Sequence, residues 1–553
     1  MKAWYFSGVL LLLSQSLLAA PLSPADRNSI EQQQQQLLRQ NQRQRDALEK
    51  AVPLLRTTTP DASTAPAGPC FTINRIVADG ATLLDERIQQ TLFASWVEQC
   101  LDMARINQIT NAVSDWYIRH GYITSRAFLT PQDLRTGVLH LKVLEGRLQA
   151  IRMDGAPASE LAMTFPGLEG RVLNLRDVEQ GMEQINRTRT TPVQIEILPG
   201  DKQGWSIVHL TANPEFPLSG SVSVDNSGQK STGTGQINAG LTANNILGLA
   251  DSWFVSGGRS SAFSNSKDAQ NLAAGISIPY GYTLFDYSYS WNNYLSTIDN
   301  NGYKWRSSGD TETHRFNLSR VLFRNGDIKT GVSVGLSIRN GRNYLDDVLL
   351  QSSSRKLTSL LFGLNHTQKM LGGVATFNPT FSRGMPWFGA ENDGHKNGDL
   401  PKAQFRKWSL SASFQRPVAE NLWWLASVYG QWTPDRLYGS ERMTIGGESS
   451  VRGFKEQSIS GDNGAYWRNE LNYTLFTLPV IGQVSALAVL DGGWLHADRL
   501  DPYASGTLWG AAAGLSTASR WVSTSLTAGI PLAYPDWLGP DHLSLYYRVA
   551  VAF

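Results

Sequence analysis

Few residues of this 553-residue sequence are spaced for catalysis. The stretch Gly331-Val-Ser333-Val-Gly335 matches a Gly-x-Ser-x-Gly motif, in which a nucleophilic serine stands on a sharp turn between a strand and a helix. Alternating apolar residues around it predict one continuous strand instead, so Ser333 is not expected to be catalytic. There is no His-Glu-x-x-His zinc motif and no phosphate loop ending in Lys-Ser or Lys-Thr, and the eight histidines are scattered. The sequence therefore predicts no enzyme, no metal site and no cofactor.

The two cysteines, Cys70 and Cys100, are the other candidates for chemistry. They are too few for a zinc site built on cysteine. Residues 1–20 have the pattern of a secretory signal peptide, with Lys2 ahead of a short apolar core, which directs the chain to a compartment where disulfides form. A Cys70–Cys100 bond would close a loop of about 30 residues and stabilise its domain by roughly 3.5 kcal/mol on chain-entropy grounds. Two free buried thiols are the alternative.

Composition narrows the class of protein. Apolar residues make up 41% of the chain and charged residues 17%, below the roughly 25% charged residues of soluble domains. After the leader, no stretch of about 18 apolar residues is long enough to cross a bilayer as a helix. The net charge of +2 gives no reason to expect a nucleic-acid partner. The length suits two small domains and a large barrel.

Residues 26–50 predict a helix that is polar on every side. Gln, Arg and Glu favour helix, and Ser23 or Asp26 would cap its start. A helix without an apolar face needs water or a wet cavity around it, and a disordered glutamine-rich tail is the alternative. Its length of about 37 Å exceeds the roughly 25 Å apolar band of an outer-membrane barrel. Residues 54–69, rich in Thr and Pro, predict a linker.

Between residues 70 and 214 one order of elements occurs twice. The first copy predicts a strand at Phe71–Val77, helices at Leu83–Val97 and around Ile106–Tyr117, and strands at Ile123–Leu129 and Val138–Leu144. The second copy predicts a strand at Leu148–Met153, helices near 158–165 and around Val178–Ile185, and strands at Val193–Leu198 and Trp205–Thr211. The pattern therefore predicts two small α+β units in tandem.

Residues 215–553 alternate between apolar side chains and small or polar ones, and 13 of the 17 tryptophans lie here. Such alternation suits a wall with lipid outside and water inside. The last segment shows it most clearly, since one face carries Leu543, Leu545, Tyr547, Val549, Val551 and the terminal Phe553. Residues 215–553 as a whole therefore predict a membrane β-barrel of about 16 antiparallel strands. A soluble β-sandwich would not use so many residues.

A resemblance to a known family is carried by five features, namely Leu141–Gly146, Cys70-Phe71 with Cys100, Asp225–Gly228 with Asn245–Asp251, Val451–Phe454, and Leu490–Gly493. Together they resemble the two-partner secretion transporters, the TpsB family of pore-forming outer-membrane proteins, in its haemolysin-activator and contact-dependent-inhibition branch. The resemblance covers essentially the whole mature chain. It implies a signal peptide at 1–20, a plug helix at 21–53, a linker at 54–69, two polypeptide-transport-associated (POTRA) domains at 70–146 and 147–214, and a transmembrane barrel at 215–553.

The resemblance also implies roles for single residues. Val451-Arg452-Gly453-Phe454 resembles the signature of the long sixth extracellular loop, which folds back into the barrel lumen, and Asp491 would be the partner of Arg452. An arginine fork binds a carboxylate bidentately, and in a partly desolvated lumen the loss of one partner would cost about 3–5 kcal/mol. An exposed loop arginine, the alternative, would gain about 0–1 kcal/mol from such a pair. Cys70 and Cys100 would form a disulfide, and the terminal Phe553 would serve barrel assembly.

The function implied is secretion of a large partner exoprotein (a haemolysin, an adhesin or a contact-dependent-inhibition toxin) across the bacterial outer membrane. The N-terminal secretion domain of that client would first bind the periplasmic POTRA domains. Outer-membrane lipid and the barrel-assembly machinery are the other expected partners. An outer-membrane protein insertase is the main alternative, although it usually has more POTRA repeats and no plug helix. A passive porin or a nutrient receptor would not need residues 70–212, and an outer-membrane enzyme would need a nucleophile or a metal set.

Overall fold

The computed structural model describes residues 22–49, 69–300, 302–394, 396 and 399–553. The expected signal peptide at 1–20 and nearly all of the expected linker at 54–69 lie outside these residues. The described chain forms a polar helix, two small α+β units and a closed β-barrel. No helix among the described residues is long and apolar enough to cross a membrane.

The first element is helix α1, Pro24–Glu49, close to the predicted 26–50. Proline suits the first helical position because the N–H that it lacks would have no partner there. The Ser23 hydroxyl accepts a hydrogen bond from the backbone N–H of Asp26 at 3.1 Å, which satisfies one of the free donors at the helix start. The helix runs inside the barrel, where polar groups of the wall and of a lumen loop replace water as hydrogen-bond partners.

The first α+β unit contains β1 (Phe71–Ile73), β2 (Arg75–Asp79), α2 (Glu86–Phe93), β3 (Gln99–Leu101), α3 (Met103–Arg119), β4 (Arg126–Leu129) and β5 (Val138–Leu144). Its main sheet has the order β2-β5-β4, and β1 pairs separately with β3. The predicted helix Leu83–Val97 was too long at both ends. Asp85 caps α2 by accepting from the N–H of Ile88, and residues 94–98 form turns before residues 99–101 pair with β1.

The second α+β unit contains β6 (Arg147–Met153), α4 (Ala158–Thr164), α5 (Leu175–Asn186), β7 (Gln194–Pro199) and β8 (Trp205–Thr211). Its sheet has the order β6-β8-β7. Val178, Met182 and Ile185 on one face of α5 are buried in the core of the unit. The elements predicted for this unit are confirmed to within a residue or two, because each has a clear apolar period.

The remaining chain closes into a barrel of 16 antiparallel strands, as predicted. They are β9 (Leu218–Asp225), β10 (Gln236–Asn244), β11 (Ser252–Ser260), β12 (Asp268–Tyr280), β13 (Thr283–Asn300), β14 (Tyr303–Arg324), β15 (Ile328–Leu345), β17 (Arg355–Met370), β18 (Gly373–Met385), β19 (Arg406–Ala419), β20 (Leu422–Trp432), β23 (Gly464–Leu478), β24 (Gly482–Leu495), β25 (Gly506–Ala518), β26 (Val522–Ala533) and β27 (Ser544–Ala552). The two-residue strand β16 (Val348–Leu349) extends the hairpin after β15, and β21 (Met443–Ile445) pairs with β22 (Ile459–Gly461) in the loop before β23.

The barrel closes between its last and first strands. Strand β27 pairs with β9 from Arg548 opposite Asp225 to Ala552 opposite Ser221. The terminal Phe553 extends this ladder through two backbone hydrogen bonds with Gly220, at 2.8 and 2.9 Å. A closed ladder leaves no unpaired strand edge, which is the condition for a sheet in lipid.

Candidate functional site: the plugged barrel lumen

The loop between β20 and β23, residues 433–463, folds back into the barrel. Val451 and Phe454 lie in an apolar cluster with inward-facing wall residues, among them Tyr466 and Leu508. Val451 is 0% exposed and Phe454 is 1% exposed. The structure thus places the sequence-predicted loop signature inside the lumen, held against the wall by buried apolar side chains.

Arg452 of this loop contacts Asp491 of β24. Arg452 Nε donates to Asp491 Oδ2 at 2.7 Å, Nη2 donates to Oδ1 at 2.9 Å, and the backbone N–H donates to Oδ2 at 3.1 Å. Arg452 is 4% exposed and Asp491 is 0% exposed. The pair therefore has the bidentate geometry of a strong charge-assisted interaction in a site that excludes water.

Glu470 on β23, a residue that the sequence did not predict at this site, joins the ion pair. Its carboxylate accepts from Arg452 Nη2 at 3.0 Å and from Arg468 Nη2 at 2.8 Å. Arg468 in turn donates to the Ser449 backbone carbonyl of the loop at 3.1 Å. Two arginines and two carboxylates thus alternate, which balances the buried charge. The available signal was the i, i+2 spacing of Arg468 and Glu470, which puts both side chains on one face of a strand.

Three glycines let the loop backbone lie directly on the wall. Gly453 has φ +105°, and a Cβ there would stand 2.5 Å from the Ile530 carbonyl oxygen. A Cβ at Gly510 of β25 would overlap the Arg452 carbonyl, and one at Gly529 of β26 would stand 2.8 Å from the Gly453 nitrogen. Gly510 and Gly529 were not singled out from the sequence, although a glycine inside a strand often marks a close backbone approach.

Helix α1 contacts the same loop. The Gln34 side chain, 4% exposed, donates to the Thr444 carbonyl at 2.8 Å and accepts from the Ser449 hydroxyl at 2.8 Å. Leu37 packs against the apolar cluster of the loop. The helix and the loop therefore form one connected body within the lumen.

Helix α1 contacts the wall through neutral and charged side chains, and Asp26 pairs with Arg339 of β15 at 2.9 Å. Asn41 donates to the Ser411 hydroxyl and accepts from Asn378, both at 2.8 Å. Arg45 donates to the Gln415 amide oxygen at 3.1 Å. Neutral hydrogen bonds contribute about 0.5–1.5 kcal/mol each, because water can replace either partner. Release of the helix therefore breaks weak neutral hydrogen bonds together with the Asp26–Arg339 pair and the contacts of the buried Arg45.

The second α+β unit docks on one rim of the barrel through a charged cluster. Arg324, at the end of β14, contacts Glu183 of α5 at 3.1 Å and donates to Gln180 at 2.7 Å. Lys329 pairs with the same Glu183. Burial alone would raise the pKa of Glu183, but Lys329 and Arg324 outweigh it and hold this pKa below its ordinary value of 4.5. The cluster therefore keeps Glu183 ionised at neutral pH.

We expect this docking to be insensitive to pH from about 5 to 8 and to weaken only in stronger acid. Because the folded pKa of Glu183 lies below 4.5, its ion pairs are fully present above that value and are lost as pH falls through the folded pKa. Hydrogen exchange of the α5 amides in the full chain measures the change. Glu183→Gln should lower protection at neutral pH by about 1–3 kcal/mol and remove the acid step. An unchanged acid step in this variant would contradict the assignment.

The two α+β units are also fixed internally. A disulfide joins Cys70 to Cys100, with 5.2 Å between the Cα atoms, and links β1 to β3. Backbone hydrogen bonds of 2.8 Å connect the units, from Leu175 N–H to the Gly121 carbonyl and from Leu173 N–H to the Gly146 carbonyl. The two α+β units are therefore held together by hydrogen bonds, and the second unit contacts the barrel rim.

No catalytic arrangement is found among the residues that the structure describes. Ser333 lies in the middle of β15, where the strand continues without a turn, as predicted from its neighbours. Within the described ranges no three His, Cys, Asp or Glu side chains converge on a point where they could hold a metal ion.

Residues 204–517 match the family described as haemolysin secretion/activation protein ShlB/FhaC/HecB, 71–146 match a ShlB-type POTRA domain, and 147–199 match a POTRA domain. The chain is 66% identical over 553 residues to the outer membrane transporter CdiB of Escherichia coli, covering 99% of this chain and 94% of that protein. It is 31% identical over 497 residues to the hemolysin transporter protein ShlB of Serratia marcescens, covering 89% and 84%. The solved structure of CdiB from Escherichia coli matches with a TM-score of 0.93 at 67% identity, covering 97% of this chain and 100% of that one.

Proposed function

This chain belongs to the ShlB/FhaC/HecB family of haemolysin secretion/activation proteins, and from that premise we propose how its parts export a client. It is an outer-membrane transporter of two-partner secretion with N-terminal POTRA domains on the periplasmic side. The insertase alternative is not supported, since the relatives that match nearly the whole chain are transporters. The client is a large exoprotein, namely a haemolysin, an adhesin or a contact-dependent-inhibition toxin.

The POTRA sheets offer a means of binding the client. Strand β7 stands at one edge of the β6-β8-β7 sheet, and β4 stands at one edge of the β2-β5-β4 sheet. Within the described residues neither strand has a second partner on its outer side. An open edge accepts an extended segment through backbone hydrogen bonds, a mode that tolerates variable sequence. The N-terminal secretion domain of the client binds here first.

The plugged lumen is the single observation that carries the proposed route. Helix α1 and loop 433–463 lie inside a cylinder whose inner wall is largely polar, and a cavity remains between the helix and part of the wall. The helix is held by neutral hydrogen bonds and by an ion pair between Asp26 and Arg339. The helix leaves, the client passes as an extended chain, and the Arg452–Asp491 pair keeps the loop in the position that transport requires. As the family resemblance suggests, progressive folding of the client outside the cell supplies the driving force.

Two further partners belong to the proposal. Alternate apolar side chains of β27, such as Leu545, Tyr547 and Val549, are 47%, 43% and 46% exposed on the outer face and contact outer-membrane lipid. The ring of Phe553, 67% exposed, lies over Gly220 beside the closing ladder. The barrel-assembly machinery binds the terminal Phe553 while the barrel closes.

Co-expression with a candidate client tests the function. We expect the client to reach the cell surface only when this chain is present, as measured by protease accessibility on whole cells. The matched control is the level of unrelated outer-membrane proteins in the same cells. If those proteins fall when the chain is deleted while client export is unchanged, the chain acts as an insertase and the proposal is wrong.

A further inference from the structure

An aromatic cluster lies on the outer face of the barrel at the rim away from the POTRA domains. Phe381 of β18, Trp408 of β19 and Trp432 of β20 stand side by side, with neighbouring ring centroids 4.9 and 5.0 Å apart. Trp408 and Trp432 are 42% and 57% exposed. Tryptophans at the ends of barrel strands mark the level where lipid tails meet headgroups.

Two arginines continue the same outer face beyond the aromatic rings. Arg383 follows Phe381 by two residues, Arg406 precedes Trp408 by two, and the two arginines stand directly opposite each other in the β18–β19 ladder. Residues two apart on a strand share a face, so both arginines lie on the lipid side. Like charges directly opposite each other are destabilising unless an anion lies between them.

Among the described residues, one carboxylate forms ion pairs with this cluster of cations. Asp435 contacts Lys402 Nζ at 2.8 Å and Arg406 Nε at 3.1 Å. Although burial alone would raise the pKa of Asp435, hydrogen bonds from Arg406 and Lys402 lower it to about 2, so the carboxylate is ionised at neutral pH. Arg383 makes no ion pair or side-chain hydrogen bond with any residue in the described part of the chain, and it is exposed. Three cations and one anion leave a net charge of +2.

The same rim has a charge-balanced counterpart on β15. Arg342 is also exposed on the outer face, but it lies 2.8 Å from Asp310 and 3.8 Å from Glu312. Its charge is therefore matched within the protein. The unmatched charge at Arg383 is thus not a general feature of outer-face arginines at this rim.

We propose that Arg383, Arg406 and Lys402 bind the phosphate group of a glycolipid in the outer leaflet of the membrane. Arginine grips phosphate bidentately, and basic clusters beside a lipid-facing surface recognise lipid headgroups. The acyl chains of the same molecule pack on Phe381, Trp408 and Trp432. A soluble anion would satisfy the charges but would not use the aromatic surface below them, and for this reason the site is assigned to a lipid.

Native mass spectrometry of the full chain in detergent tests the site, with lipid A as the probe. We expect wild type to retain lipid A and Arg383→Gln to lower the affinity by about tenfold, the loss expected for charge-assisted hydrogen bonds. Lys402→Gln, in a loop outside the strands, is a second variant with the same expected direction. Arg342→Gln is the matched control and should bind like wild type.

Lipid A stripped of its phosphates provides the second arm of the experiment. It should bind wild type at least as weakly as intact lipid A binds Arg383→Gln, because the contacts of all three cations with the phosphate are then lost. Equal affinity of wild type and Arg383→Gln for lipid A would overturn the proposal, as would an equal loss in Arg342→Gln. Full displacement of lipid A by an equal concentration of inorganic phosphate would show a free-anion site instead and would also overturn it.

Discussion

Replacing Arg452 by alanine will reduce export of the client by at least about tenfold, because Asp491 is then left buried without its partner. Breaking a buried ion pair from one side costs about 3–5 kcal/mol. Asp491 is 0% exposed, and in this variant it keeps only the backbone N–H donors of residue 452 and Asn469. Water can reach the unpaired Asp491 carboxylate only if loop 433–463 moves. That movement displaces Val451 and Phe454 from the apolar cluster and loosens the contact with helix α1. Surface-exposed client on whole cells measures the effect.

The arginine side chain is needed for its shape as well as for its charge. Arg452→Lys keeps a positive charge but cannot form the two parallel contacts to Asp491 Oδ1 and Oδ2. We expect this variant to export less than wild type and more than Arg452→Ala. Arg436→Ala is the matched control, since Arg436 forms a partly exposed loop pair with Asp498 at 3.5 Å, and such pairs are worth about 0–1 kcal/mol.

A double-mutant cycle separates the pair from a general loss of folding. Asp491→Ala removes the buried carboxylate, so adding Arg452→Ala to it should cost less than Arg452→Ala costs in wild type. The mobility of each variant on a denaturing gel, compared with and without prior heating, reports whether the barrel is closed. Wild-type export by Arg452→Ala, or additive effects in the cycle, would show that the pair does not hold the loop for transport.

Deletion of residues 23–52 will raise the ion conductance of the barrel several-fold and leave client export intact. Helix α1, with 26 residues, lies inside the lumen in contact with wall strands β18 and β19, and it narrows the space through which ions would pass. Loop 433–463 has its own ties to the wall through Arg452 and its apolar cluster, so it stays in place when the helix is absent. Planar-bilayer recordings of the purified chain measure conductance, and surface-exposed client measures export.

A milder variant gives the matched comparison for the deletion. Asn41→Ala removes the hydrogen bonds to Ser411 and Asn378 but keeps the helix. It should open the pore more often without changing the conductance of the open state. An unchanged conductance after the deletion would mean that the helix does not close the pore, and a loss of export would mean that the helix is part of the transport path.

Local patterns in the sequence were enough to predict the architecture. The barrel follows from side chains that alternate with period two, since one face of each strand meets lipid and the other meets water. The polar stretch 26–50 has no apolar face, which predicted a helix surrounded by water or by a wet cavity. The tandem α+β units followed from apolar periods in helices such as α5. Each of these properties depends on residues that are neighbours along the chain.

Contacts between residues far apart in the sequence were decided only by the tertiary structure. Glu470 joins the Arg452 pair, and Gly510 and Gly529 admit the loop backbone, because the closed barrel brings β23, β25 and β26 to the loop. Residues 99–101, for which the sequence predicted no strand, pair with β1, a contact with no local signal. The charge clusters at Arg324 and Arg383 likewise depend on which strands and domains become neighbours. Periodicity determines which face of an element is buried, but only the closed fold determines which residues meet there.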